Sequence, residues 1–203
     1  MKFDRIILAS ASPRRQELLK MIFDGFEIIP ADVDETVGEE VPVDLRAEKI
    51  ARRKARFIAS NNADALVIGC DTAVIIKDKM LGKPKDRADA EKMLCALSGE
   101  THKVITGCCL CFEGKEKSFS AVTEVEFYPL GEEELEKYLD TNDWADKAGA
   151  YGIQNMAGLF VRQIKGEYNN VVGLPTARLY REIKDPIPNP QSPSKIRNQI
   201  NIK

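Results

Sequence analysis

Apolar and polar positions run along this chain in blocks whose period changes, and each change marks an element. An apolar strand over about 5–10 stops at Ser10 and Ser12, and Pro13 then opens a helix whose Leu18, Leu19 and Ile22 recur at helical spacing. A serine cap followed by proline at the first helical position is a helix start. "FEIIPADVDET" predicts a second strand ending in an acidic turn. "VPVDLRAEKIARRKARFIAS" predicts an amphipathic helix with Leu45, Ile50, Ala51, Ala55 and Ile58 turned inward. "ALVIGCDTAVII" predicts a strand, "KDKML" turns it back, and the next helix is capped by Asp86 and ended by Gly99. "HKVITGCCLCF" and "EKSFSAVTEVEFYPL", joined at Glu113-Gly114, predict a long hairpin. A short helix "EEELEKYLD", a glycine-rich "DKAGAYGIQ", a strand "GLFVRQIKG" and a helix opened by Pro175 complete the pattern. Helices interspersed with hairpins predict an α/β fold with a mixed sheet.

Composition narrows the class. At 203 residues, 43% hydrophobic and 31% charged, the chain can bury a core without a disulfide or metal staple. A net charge of −2 offers no basic field for nucleic acid or an anionic membrane. No apolar run is long enough to span a bilayer, and the N-terminus lacks the pattern of a signal peptide. Five cysteines in apolar segments then fit a reduced, cytoplasmic protein. Cys108 to Cys111 has C-x-x-C spacing, but His102 is the single histidine, so a zinc site is disfavoured and the cysteines read as core residues. His102 itself reads as a strand-edge surface residue. Residues 1–185 are expected to form one domain, followed by a poorly ordered tail over 186–203, rich in Pro, Ser, Asn and Gln.

Local rules are broken in three places. Arg14 and Arg15 occupy the first turn of a helix, where the macrodipole is already positive. An anion held there by backbone N–H groups, Ser10, Ser12 and two guanidiniums would resolve the conflict; pairing with Glu17 or Asp4 would resolve it without a ligand. Asp71 interrupts an apolar strand, where a carboxylate needs a partner or a function, and Gly69 beside it signals close approach of backbone or ligand. Lys83 stands between glycine and proline in "LGKPKD", as at the end of a phosphate-binding loop, although the P-loop pattern is absent. Cations for a polyphosphate and acids for a metal or water, together with the Gln154 amide, point to nucleotide chemistry.

The ordered set "LASASPRRQELL", "VDET", Lys54-Ala55, "GCDTAV", "LGKPKD", "LSGETHKVITG", "TEVEF", "DKAGAYGIQ" and "NVVGLP" resembles the Maf family of nucleoside triphosphate pyrophosphatases over residues 5–184. The resemblance implies a two-lobed, mixed-sheet fold with a central cleft, related to inosine triphosphate pyrophosphatases. It also implies hydrolysis of a nucleoside triphosphate to monophosphate and pyrophosphate with a divalent cation, Mg²⁺ or Mn²⁺. Arg14, Thr72 and Gln154 match the subgroup that acts on dTTP and UTP. Gly131, where relatives usually place Ser or Thr, and "QNMAG" after Gln154 depart from the usual pattern.

On that footing Asp71 activates the attacking water, directly or through a metal held by Asp71 and Glu35. Ser10, Arg14, Arg15, Lys54 and Lys83 bind the phosphates. Gln154 matches O4 and N3–H of uracil or thymine but, flipped, matches cytosine equally well. The expected partner is a small-molecule nucleotide, with no nucleic acid and no membrane, and a homodimer is left open. Two other readings remain at this level: a weakly catalytic nucleotide-binding regulator of septum formation, and a nucleic-acid binder using "ARRKAR". Asp71 and Lys83 speak against the first, and the interleaved apolar residues and acidic net charge against the second.

Overall fold

The computed structural model describes residues 3–185 and 187. The tail expected over 186–203 lies outside the described residues apart from Ile187, which packs against the core. The chain forms β1 (Ile6–Leu8), α1 (Pro13–Leu19), β2 (Glu27–Ile28), α2 (Val43–Ala59), β3 (Leu66–Ile76), β4 (Lys79–Leu81) and α3 (Arg87–Leu97) in turn. The hairpin β5 (Thr101–Phe112) and β6 (Lys115–Phe127) follows, then α4 (Glu132–Asp140), β7 (Val161–Lys165), α5 (Tyr168–Val172) and α6 (Thr176–Lys184). Two short 3-10 turns, Ala148–Ala150 and Met156–Phe160, fill the glycine-rich stretch before β7.

Seven strands make one mixed sheet in the order β2-β1-β3-β5-β6-β7, with β4 also paired to β3. β1 runs parallel to β3 and leaves it at Leu8–Ile68; β4 joins antiparallel from Val74 onward. The opposite edge of β3 is occupied by β5 from Val67 to Ile75, so β4 and β1 share one edge. Between them, Gly69 to Ala73 have no strand partner on that side among the described residues. The cleft opens on this free edge.

Helix α2 lies directly on the sheet, and two glycines make the approach possible. A Cβ at Gly69 would stand 2.4 Å from Ala51 O, and one at Gly107 would stand 2.3 Å from Glu48 N. The close approach signalled by Gly69 is therefore that of a helix backbone and not of a ligand. Ser118 and Ser120 of β6 donate to the two carboxylate oxygens of Glu48 at 2.6 and 2.8 Å, fixing the helix along the strands. The buried stripe of α2 is Ala47, Ile50, Ala51, Lys54, Ala55 and Ile58. Leu45 is not part of it; it is 52% exposed, because it sits about 200° around the helix from Ala47.

Other expectations are corrected as well. The strand foreseen in "FEIIPADVDET" is only Glu27–Ile28, both exposed at the sheet edge, and the rest is irregular. Helix α5, "YNNVV", has no periodic apolar face of its own and was not foreseen; it forms by packing against β5 and β6. His102 is 1% exposed, not a surface residue, and its Nε2 lies 2.7 Å from Tyr151 Oη among the rings of Phe127 and Tyr151. Burial pushes its pKa down to about 4, so the imidazole is neutral at pH 7. Residues three apart on a strand face opposite sides. Cys108 accordingly packs on Cys70 while Cys111 turns to Cys109 under α2, so the C-x-x-C spacing brings no sulfur pair together. Cys111 and Cys109 do gather beside Glu116, whose carboxylate is taken by Arg52 and Arg56.

Candidate active site

The free edge of β3 places two adjacent side chains on opposite faces of the sheet. Asp71 points to the α2 side and Thr72 to the other, so a ligand lying across the edge meets both. The cleft around them, about 660 Å³, is lined by Ser10, Arg14, Arg15, Glu35, Lys54, Asp71, Thr72, Lys83 and Gln154. Every site residue expected from sequence is therefore brought to one cavity, although the residues span 145 positions of chain from Ser10 to Gln154.

Lys54 reaches Asp71 because α2 sits so low on Gly69. Its Nζ donates to Asp71 Oδ1 at 2.8 Å and lies 2.8 Å from Glu35 Oε1. The side chains of Asp71 and Lys54 are 15% and 10% exposed, so this is a largely desolvated pair. Burial raises the Asp71 pKa above the usual carboxylate value; the charge and hydrogen bond of Lys54, and the charge of Arg15, only partly offset it. A carboxylate shifted toward neutrality is a stronger base than an ordinary one. Asp71 Oδ2 has no hydrogen-bond partner among the described residues.

On the other face each nitrogen of the Arg15 guanidinium makes one hydrogen bond to the protein, and among the described residues one N–H on each terminal nitrogen is left over. Its Nε donates to Gly173 O at 2.8 Å, Nη1 to Ser10 Oγ at 3.1 Å and Nη2 to Thr72 Oγ1 at 3.0 Å. Arg14 pairs with Asp146 Oδ2 at 3.0 Å, and not with Glu17 or Asp4. The backbone half of the expected anion site is smaller than foreseen. Pro13 has no N–H, Ser12 N–H is taken by Ser10 Oγ, and Arg15 N–H by the Ser12 cap. Among the described residues only the Arg14 N–H of that turn remains free, so anion binding there falls to side chains.

Lys83 stands exposed on its glycine–proline turn, with no ion-pair partner among the described residues. The turn is tied to the glycine-rich loop by Gly149 N–H, which donates to Gly82 O at 3.0 Å. Gly149 has φ +70°, where a side chain is strained, and a Cβ there would also press on Val74 at 3.0 Å, so glycine suits the position. That loop ends in exposed Gln154. Asn155 after it donates to both oxygens of Asp143 at 3.1 Å, which gives the departure from the usual glycine a structural role.

Sequence reasoning missed Asp146 and Lys147. Lys147 is buried and lies 2.8 Å from carboxylate oxygens of both Asp143 and Asp146. Hydrogen bonds from Lys147 and Arg14 overcome the burial that would raise the Asp146 pKa, and hold it below the usual range. Nothing in "DWADKAG" signals this network, because Arg14, its key partner, is 132 residues away.

Asp71 and Glu35 converge on one ammonium, and the cleft lining contains neither histidine nor cysteine. Such an oxygen donor set fits a hard divalent cation and not a thiophilic one.

The sequence model described as Maf-like protein matches residues 5–185. A dTTP/UTP pyrophosphatase of Carboxydothermus hydrogenoformans is 50% identical over 183 residues, covering 89% of this chain and 98% of the relative. One from Bacillus anthracis is 46% identical over 181 residues, covering 89% and 94%. Among solved structures, that of the Staphylococcus aureus Ham1 protein has a TM-score of 0.47 at 19% identity, covering 61% of this chain and 71% of that one.

Proposed function

Because the chain belongs to the Maf-like protein family, we propose that it is a nucleoside triphosphate pyrophosphatase hydrolysing dTTP and UTP to the monophosphate and pyrophosphate. The observation that carries this reading to the chemistry is the buried Asp71–Lys54 pair on the free edge of β3, with Lys83 and Glu35 facing the same space. Asp71 takes a proton from the water that attacks the α-phosphorus. Lys54 holds Asp71 Oδ1 and so aims Oδ2 outward. Lys83, without an ion-pair partner among the described residues, meets the charge on the β- and γ-phosphates as it grows in the leaving group. Arg15 and Ser10 present a preorganised donor surface to the phosphates, while Arg14, Thr72 and Gln154 lie toward the base.

Asp71 and Glu35 would hold the divalent cation, Mg²⁺ or Mn²⁺. When bound, the cation supplies positive charge to the triphosphate and its leaving group. EDTA is expected to abolish turnover, and Mg²⁺ or Mn²⁺ to restore it, with no change in far-UV circular dichroism. Activity that persists through exhaustive chelation would remove the metal from the scheme.

The reaction itself is tested by its products. In ¹⁸O-water the label is expected in the monophosphate and not in pyrophosphate, because water enters at the α-position. Early appearance of the diphosphate with labelled orthophosphate would identify a stepwise phosphatase and overturn the assignment.

Lys83→Ala is the cleanest probe of the phosphate contacts, since Arg15 also holds Gly173 and Thr72 in place. It is expected to lower kcat/KM by about tenfold to a thousandfold, the range for a lost charge-assisted donor. Affinity for the monophosphate product, measured by calorimetry, should change far less. Equal losses on monophosphate and triphosphate would put Lys83 elsewhere on the nucleotide.

A further inference from the structure

The hydroxyl of Thr72 has one proton, and the hydrogen bonds around it determine where that proton goes. Arg15 Nη2 donates to Thr72 Oγ1 at 3.0 Å. Thr72 Oγ1 lies 3.0 Å from Thr106 Oγ1, and Thr106 Oγ1 donates to the backbone oxygen of Asn170 at 3.0 Å. Thr106 and Asn170 are both fully buried. A hydroxyl has one proton and two lone pairs, and a guanidinium only donates. Thr106 gives its proton to the carbonyl, so the bond between the two threonines needs the proton of Thr72. The opposite polarity would make one hydrogen bond fewer and leave the buried Thr106 oxygen without a donor; the Asn170 carbonyl would keep only the Gly173 N–H, at 3.1 Å. Toward the cleft, Thr72 therefore shows a single lone pair and no proton.

We propose that Thr106 is a positioning residue that fixes this polarity, so that Thr72 accepts the ring N3–H of uracil or thymine and turns cytosine away. The inference rests on the nucleotide reading above and deepens it. An oxygen that can only accept is no ligand for phosphate, whose oxygens also only accept. It belongs beside a neutral donor on the nucleotide. Uracil and thymine both carry a proton on N3, whereas N3 of cytosine is an acceptor and would set two lone pairs against each other. The Gln154 amide can rotate to match either base and cannot make this distinction alone. A hydroxyl whose proton is already taken inside the protein can.

The test compares kcat/KM for UTP and CTP on the full-length protein. Wild type is expected to favour UTP by at least about tenfold, since a site built for a hydrogen bond rejects a base that cannot make it. Thr106→Val fills the same space but accepts nothing, which frees the Thr72 proton; the UTP-to-CTP ratio should fall at least about tenfold, and Thr106→Ser should restore it. A merely structural loss would lower both substrates together. A ratio unmoved in folded Thr106→Val, or a wild type indifferent to the base, overturns the proposal. A second measurement needs no variant: N3-methyl-UTP should be turned over at least about tenfold less efficiently than UTP by wild type. Equal turnover overturns the proposal, and so does a loss confined to 3′-deoxy-UTP, which would make the sugar hydroxyl the donor. Pyrophosphate release from UTP in the same assays keeps the two levels apart. If no triphosphate yields pyrophosphate, the proposed function fails; if UTP does and the ratio stays put, only the role of Thr106 fails.

Discussion

Asp71→Asn is expected to lower kcat by about a thousandfold and to leave the protein at least as heat-stable as wild type at pH 7. The first effect follows from loss of the group that takes the proton of the attacking water, and it should appear in kcat more than in KM. The second follows from linkage. Burial raises the Asp71 pKa in the folded protein despite Lys54 and Arg15, so the fold binds this proton more tightly than the unfolded chain does. The stability from that difference is complete below the ordinary carboxyl pKa of 3.8 and is lost as pH rises through the raised value. At pH 7 it is gone. Asparagine is a neutral isostere and avoids the cost of a buried charge, so Tm should hold or rise. A folded Asp71→Asn protein with wild-type kcat would end the assignment of Asp71. A sharp fall in Tm would show instead that the ion pair with Lys54 outweighs desolvation.

Lys54→Met should lower kcat/KM for UTP by about a hundredfold to a thousandfold, because one residue both orients Asp71 and faces the phosphates. Methionine keeps most of the stem that packs between α2 and the sheet. Its loss of charge removes the ammonium that stands between Asp71 and Glu35. Both contributions by which Lys54 lowers the Asp71 pKa disappear, so that pKa rises further. The acid limb of the pH–rate profile should consequently move to higher pH. The profile separates this from a general packing defect, which would lower the rate at all pH values alike. A variant with kcat/KM within twofold of wild type and an unmoved acid limb would show that Lys54 only balances charge in the core.

Much of the local structure was legible in the chain. Ser12 and Pro13 start α1, Asp86 caps α3, and the Glu113-Gly114 turn folds the long hairpin, each through hydrogen bonds made within a few residues. Misreadings came where tertiary contacts override local pattern. His102 looks like a polar position at a strand edge, yet Tyr151, 49 residues on, gives it a partner and covers it. Helix α5 borrows its stability from the strands beneath it, and so carries no periodic signal of its own.

The site divides in the same way. Residues that break a local rule announce themselves: two arginines at a positive helix end, a carboxylate in an apolar strand, a lysine on a stiff turn. Their violation is readable because propensity and burial are local properties, and the ordered motifs around them make the family legible as well. What the chain could not disclose is which groups meet. The free edge of β3 exists because its pairing with β1 ends at Ile68 and its pairing with β4 begins at Val74, a matter of register between separate segments. Arg14 finds Asp146, and the hydroxyls of Thr72 and Thr106 come within 3.0 Å, only when distant strands and helices come together. The residue types and the family were thus set by sequence, because each reports its own surroundings. The pairings, and with them the protonation of Asp71 and the polarity of Thr72, belong to the tertiary structure, because desolvation and hydrogen-bond direction depend on neighbours that the linear chain does not place.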